Sequence, residues 1–261
     1  MEMKTYKEWL EEFRTKIKEG YETYRLDKQL AGCIYEVEKP IEVFWKGSGP
    51  IGVQFIKEGA PPPEPYVYST QRVTPKEVGF IVDLKNWVDE KEYTIMDPFL
   101  VDLGRGIAIR EGYVIIRSMD EKAGYSMKTK TKGKLTKMDI IEAEKWIKKQ
   151  GWYADTLLIH PDQEAEFLIR NEILIPSLIP TSYIPKEKRG RNFSGLLNGL
   201  NVYCTPLVEG LAFVYKKSQI IVAKTRLKID FDDLTNPSKL IIQRSCSSAP
   251  IDERGVVKIT L

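Results

Sequence analysis

Apolar positions recur at helical spacing near the start of the chain. Trp9, Phe13 and Ile17 stand at i, i+4 and i+8, and Tyr6, Leu10, Tyr21 and Tyr24 widen the stripe. The spacing predicts an amphipathic helix over residues 4–30, docked either on the chain's own core or on a neighbour or cargo. Its acids and bases are nearly balanced, which excludes a basic nucleic-acid arm. The period then changes. "IEVFW", "IGVQFI", "YVYSTQRVT" and "EVGFIVDL" have strand composition, broken by "KGSGP" and by the proline run "KEGAPPPEP". The run reads as a rigid turn in an extended arm or as a motif for a small recognition domain. With no helix beside them, the flanking strands predict a long hairpin projecting from the body.

From Asp97 to Met119 helical spacing returns, with Asp97 as cap and Pro98 at the first position. Met96, Leu100, Leu103, Ile107 and Val114 mark one face, and Ile109, Tyr113 and Ile116 another, which predicts a buried spine. Gly104, Gly106 and Gly112 each disfavour that helix by roughly 1 kcal/mol relative to Ala, so close packing or a bend is expected there. "GRGIAIREG" lacks the GxGxxG spacing and has no βαβ surroundings, so it is not a dinucleotide loop. Lys122, Lys128, Lys130, Lys132, Lys134 and Lys137 follow in a stretch with few acids, which suits a solvated hairpin or contact with phosphates. Thr136 and Asp139 have capping-box spacing, and "MDIIEAEKWIKKQ" is a second helix ended by Lys148, Lys149 and Gly151.

The segment "GWYADTLLIHPDQEAEF" holds His160, the one histidine of the chain. Thr156–Ile159 lean toward a strand, Pro161 suits a first helical position, and Asp162 and Glu164 favour a helix N-terminus. His160 is therefore expected to be an N-cap or a last strand residue, not a catalytic group. Beyond Ile173 the pattern turns to short strands: "LNVYC", "LAFVY", "QIIVA", "RLKIDF", "KLIIQ" and "GVVKITL", after an exposed basic loop "PKEKRGR".

Composition narrows the function. The chain has 261 residues, net charge +3 and 30% charged residues, too mild a basic excess for a dedicated nucleic-acid binder. Cys33, Cys204 and Cys246 are scattered and read as buried or free thiols in a reducing compartment. With one histidine and no CxxC pair there is no common zinc ligand set. No run approaches the ~18 apolar residues of a membrane helix, and "MEMKTYKEWLEEF" lacks a signal-peptide core. A hydrolase needs a nucleophile, a base and an orienting acid. No GxSxG occurs, and Asp232 with Asp233 reads as a polar turn. No catalytic, cofactor-binding or metal-binding residue is expected.

The order of arm, hairpin, spine helix, second helix, "ADTLLIHPDQ", third helix and β-rich end resembles the major capsid proteins of tailed phages and archaeal viruses. This is the Hong Kong 97 family, which also includes encapsulin shell proteins. "GWYADTLLIHPDQEAEFLI" is similar to the family's helix, "AD" plus apolar strand, and "HP" corner. "GLLNGLNVYCTPLVEGLAFVYKKSQIIVA" resembles its passage through the axial domain, and "APIDERGVVKITL" its final strand.

The resemblance implies an α+β fold of five segments: an N-terminal helix or arm (1–40), an extended β-hairpin loop with flanking strands (41–96), a peripheral domain with a long spine helix (97–174), a β-rich axial domain (175–240), and strands returning to the sheet (241–261). Lys57 to Val82 would be the loop that reaches over a neighbour. It implies self-assembly through pentamers and/or hexamers into an icosahedral shell, with double-stranded DNA, a portal and a separate scaffolding protein as partners, in a virion assembled in the host cytoplasm. The alternative is a cytoplasmic nanocompartment around a cargo enzyme, toward which the N-terminal helix tilts. The residues before "IEVFW" are too few for a fused scaffold of the family's kind. No membrane partner is expected. Some relatives cross-link a loop lysine to a neighbour's asparagine, but "GAPPPEPYVYSTQR" contains no lysine. Noncovalent shells are therefore expected, which boiling in detergent and reductant should reduce to one monomer band.

Overall fold

Two sheets are joined by one long helix in the computed structural model, which describes residues 6–37, 41–46, 68–73, 76–83, 93–175, 192–233 and 238–261. That helix, α3 (Tyr93–Glu121), starts four residues before the expected Asp97, so Pro98 lies inside it. The proline removes only the hydrogen bond its own N–H would make to residue 94, in the first turn, and the helix runs through. Leu100, Ile107, Ala108, Ile115 and Met119 are buried, while Ile109 and Tyr113 are exposed, so the expected all-round spine keeps one open face.

The first sheet contains β1 (Cys33–Glu36), β10 (Ile220–Lys224), β12 (Lys239–Pro250) and β11 (Lys228–Phe231) in that order, with β4 (Lys76–Asp83) also pairing antiparallel to β12. Along β12, Leu240, Ile242, Arg244 and Cys246 point inward, and Lys239, Ile241 and Gln243 face outward. The inward residues meet α3 and α1 (Tyr6–Tyr24), whose Leu10, Phe13, Ile17 and Tyr21 are buried, as the apolar stripe requires. The first helix stops at Tyr24 instead of running to residue 30. Arg25 and Leu26 break it, and a single turn, α2 (Asp27–Leu30), follows with Asp27 turned into the interior.

The second sheet has six strands in the order β5 (Tyr125–Lys128), β13 (Val256–Thr260), β9 (Leu211–Tyr215), β6 (Thr156–Ile159), β8 (Leu200–Cys204) and β7 (Phe193–Leu197). Helices α4 (Lys137–Lys149) and α5 (Pro161–Ile169) pack on it through Ile140, Ala143, Ile147 and Phe167. The expected lysine hairpin is not present. Tyr125–Lys128 instead forms an edge strand parallel to the C-terminal β13, and only a tight turn follows, with Thr131 bridged to Lys134. The long-range partner of β5 arrives from the end of the chain, which local alternation does not reveal.

The C-terminal half of α3 joins the sheets. Ile115, Ile116 and Met119 share a core with Val222 and Cys246 of the first sheet and with Tyr203, Phe213 and Tyr215 of the second. The expected boundaries at 97, 175 and 241 cut across the sheets. Residues 97–174 supply both α3 and the α4–β6–α5 unit of the second sheet, while β10–β12 and β13 lie in different sheets. A third, two-stranded sheet pairs β2 (Ile41–Lys46) antiparallel to β3 (Tyr68–Val73), with Ile41 opposite Val73 and Lys46 opposite Tyr68. The pairing fits the expected hairpin. Its "IGVQFI" strand and proline run, like "PKEKRGR", lie outside the described residues.

Candidate functional site

The histidine corner is built as its sequence suggests. His160 has extended backbone at the N-cap of α5, and the Asp162 N–H donates to its Nδ1 at 3.3 Å, with Pro161 in the first turn. Replacing His160 by Ala should cost about 1 kcal/mol in chemical denaturation, and His160→Asn should retain most of it. The capping box at α4 is complete. Thr136 Oγ1 accepts from the Asp139 N–H at 3.3 Å, and Asp139 Oδ2 accepts from the Thr136 N–H at 2.9 Å. Gly151 closes that helix at φ +85°, a conformation glycine adopts without strain.

The "AD" before the strand also has a physical role that composition did not reveal. Asp155 Oδ1 accepts from the Lys217 backbone N–H and the Thr156 hydroxyl, both at 2.8 Å, and its Oδ2 lies 2.9 Å from Lys216 Nζ. Its carbonyl accepts from Asn201 Nδ2 at 2.7 Å. One residue thereby fixes the starts of β6 and β8 and the end of β9. Asp252, in the closing motif, accepts from Trp152 Nε1 at 3.0 Å and holds Arg254 through two contacts of 2.9 and 2.6 Å. Asp232 caps the neck of its loop, accepting from Ser238 N at 2.9 Å and Lys239 N at 2.8 Å. The Ser238 hydroxyl bond leads the interactions that lower the Asp232 pKa to about 2. The Asp232–Asp233 pair is therefore a turn device at Asp232, as expected.

The densest group of ionisable side chains is buried where α1, α2, α3, β10 and β12 meet. Arg25 grips Asp27 with two hydrogen bonds of 2.8 and 2.9 Å, and Lys224 Nζ donates to the same carboxylate and, at 2.8 Å, to Tyr21 Oη. Tyr21 donates at 2.8 Å to Glu111 Oε2, and Arg244 Nη1 lies 2.9 Å from Glu111 Oε1. Arg244 also donates to the Thr225 carbonyl. Burial raises the Asp27 pKa, but the Arg25 hydrogen bonds and the Lys224 charge outweigh it and hold the group well below the usual carboxylate range. Burial, then Glu111 and Asp27, push the Tyr21 hydroxyl far above its ordinary value. Burial and Glu111 raise the nearby Cys246 thiol to about 12.

Every ionised member has a partner of opposite charge, and the network ties the N-terminal helices to the first sheet. That is a structural clamp, not a poised acid–base pair. Cys204 is likewise unsuited to nucleophilic work, because burial and Glu164 raise its pKa well above the ordinary thiol value. Among the described residues no group of three or more His, Cys, Asp or Glu side chains is placed to hold a metal ion. Among the same residues no helix is long and apolar enough to cross a membrane.

Large apolar side chains are left uncovered in three places. Phe80, Ile81, Ile109 and Tyr113 border a groove of about 550 Å³ between β4 and α3. Met138, Ile141 and Tyr125 border one of about 480 Å³ between α4 and β5. Leu168, Ile169, Leu174 and Ile175 crowd the far end of the second sheet. Contiguous exposed apolar surface of this kind marks contact with other molecules.

No family model and no curated protein sequence matches the chain. Solved structures do. A virus-like particle from Pyrococcus furiosus is similar over 97% of this chain and 99% of its own, with a TM-score of 0.62 and 15% identity. The capsid of cyanophage P-SCSP1u is similar over 89% and 86%, with a TM-score of 0.59 and 8% identity. The holo-SrpI encapsulin complex from Synechococcus elongatus PCC 7942 is similar over 87% and 84%, with a TM-score of 0.58 and 14% identity. The chain has the fold of phage capsid and encapsulin subunits, the Hong Kong 97 type.

Proposed function

We propose that the chain is a structural subunit whose copies assemble, as pentamers and/or hexamers, into a closed icosahedral shell. The observation that carries this reading is the likeness along 97% of the chain to the subunit of a virus-like particle. Uncovered apolar surface on both sheets supports it, since shell contacts of the ~1,200–2,000 Å² class draw their energy from such burial. The fuller reading is a major capsid protein of a tailed phage or archaeal virus, enclosing double-stranded DNA and assembled in the host cytoplasm with a portal and a separate scaffolding protein. The function is one of shape, with no catalytic step.

One observation favours a second reading, an encapsulin nanocompartment around a cargo enzyme. Residues 6–24 form a helix seated along α3, the element that the encapsulin resemblance associates with cargo. The test is nuclease treatment of particles purified from the native source, followed by analysis of their contents. Protected double-stranded DNA of uniform length identifies the capsid. A single co-purifying enzyme in place of DNA identifies the nanocompartment.

The loop between Gly59 and Thr74 is proposed to act between subunits. Shortening it should leave thermal stability unchanged and abolish particles in light scattering. A shortened chain that still forms shells of normal size would contradict that role.

A further inference from the structure

The two ends of the six-stranded sheet carry surfaces that match each other. At the β5 end, the Tyr125 ring stacks on Trp146 with centroids 5.1 Å apart and planes at 11°, which props an aromatic ledge against α4. Met138 (60% exposed) and Ile141 (40% exposed) continue it. This ledge lies in the most basic part of the chain: residues 122–149 contain nine lysines against three carboxylates. Lys130 is satisfied by Glu142 at 3.1 Å, but among the described residues no carboxylate pairs with Lys145 or Lys149, which line the groove.

At the β7 end, Leu174 bridges to Leu196, and Leu168, Ile169 and Ile175 project beside it, Ile169 being 81% exposed. Residues 161–175 carry four carboxylates against one arginine. Each end thus pairs uncovered apolar side chains with an excess of charge, and the two excesses are opposite in sign. Five strand spacings of ~4.8 Å put the ends about 24 Å apart on one rigid element.

We propose that the two ends dock on each other between copies of this chain: the α5–β7 end of one subunit seats its Ile169 and Leu174 on the Tyr125–Trp146 ledge of the next. Two different patches on opposite sides of a subunit make a head-to-tail contact, which closes into a ring when the rotation between copies divides a full turn. The opposite charges orient the approach and penalise the reversed pairing, which would set lysines against lysines. The inference rests on the shell reading and specifies one of its contacts.

The test uses the full chain with a photoreactive benzophenone amino acid in place of Met138, assembled from a mixture of isotopically light and heavy subunits. Irradiation of particles should give mixed-isotope cross-links from position 138 to residues 168–175. Ile169→Asp, at a position too exposed to affect folding, should keep the wild-type melting temperature and lose at least tenfold in particle yield. Particles whose cross-links fall elsewhere in a neighbour, or on nucleic acid, overturn this contact and leave the shell reading standing. Ile169→Asp particles at wild-type yield overturn it as well. A wild-type protein that stays monomeric overturns both.

Discussion

Asp27→Ala should destabilise the folded chain by about 3–5 kcal/mol, read from the midpoint of urea denaturation. The residue is fully buried, yet it sits in a turn that sequence reading assigned to a continuous helix. Its removal leaves Lys224, itself 5% exposed, without its carboxylate, and leaves Arg25 without its paired acceptors. The cost comes from cations stranded away from water, which exceeds the net worth of the intact pair. Replacing Lys224 by Met in the same chain should therefore recover part of the loss.

The same carboxyl predicts a pH dependence. Its folded pKa is depressed, so the unfolded chain, titrating near ~3.9, binds the proton first as pH falls. The stabilisation is complete above about pH 4 and declines below it, toward the lower folded pKa. Comparing urea midpoints from pH 7 to pH 3 should show a steeper fall in the wild type than in Asp27→Asn, which has no carboxyl to protonate. Equal slopes would remove Asp27 from the account of acid sensitivity.

Gly104→Val should be the most damaging change on the spine helix. A Cβ at position 104 would lie 2.0 Å from the Ile17 carbonyl oxygen, and one at Gly20 would lie 2.0 Å from that of Val101. Both obstacles are backbone, so no side-chain rotation relieves them. The helices must separate, which strips cover from Leu10, Phe13 and Ile17. A loss above the ~3 kcal/mol of ordinary overpacking is expected, with new protease cleavage within residues 6–24. Wild-type stability and protease resistance would show that α1 and α3 tolerate a wider spacing.

These two sites mark the limit of what the sequence discloses. Elements defined by local period and local capping were legible: the stripe of α1, the Thr136–Asp139 box, the His160–Pro161 corner and the strands "LNVYC" and "LAFVY" all stand where their residues place them. Features that depend on a distant partner were not. Tyr125–Lys128 is a strand only because β13 lies beside it, and "FSGLL" needs β8. The second half of β12, "RSCSSAP", has little strand propensity and is held by β10. The polar clamp draws on residues 21, 25, 27, 111, 224 and 244, each unremarkable in its own neighbourhood. The glycines of α3 did signal an unusual packing need, but which helix they admit emerges only from the contact with α1. The exposed ledges were hidden for the same reason, since an apolar position on α4 looks alike whether the chain covers it or leaves it open.

The central claim, that this chain builds a closed shell, is tested most directly by electron microscopy of the purified full-length protein across a range of salt and protein concentrations. The account predicts uniform closed particles with icosahedral symmetry. Monomers and dimers alone under every condition would contradict it.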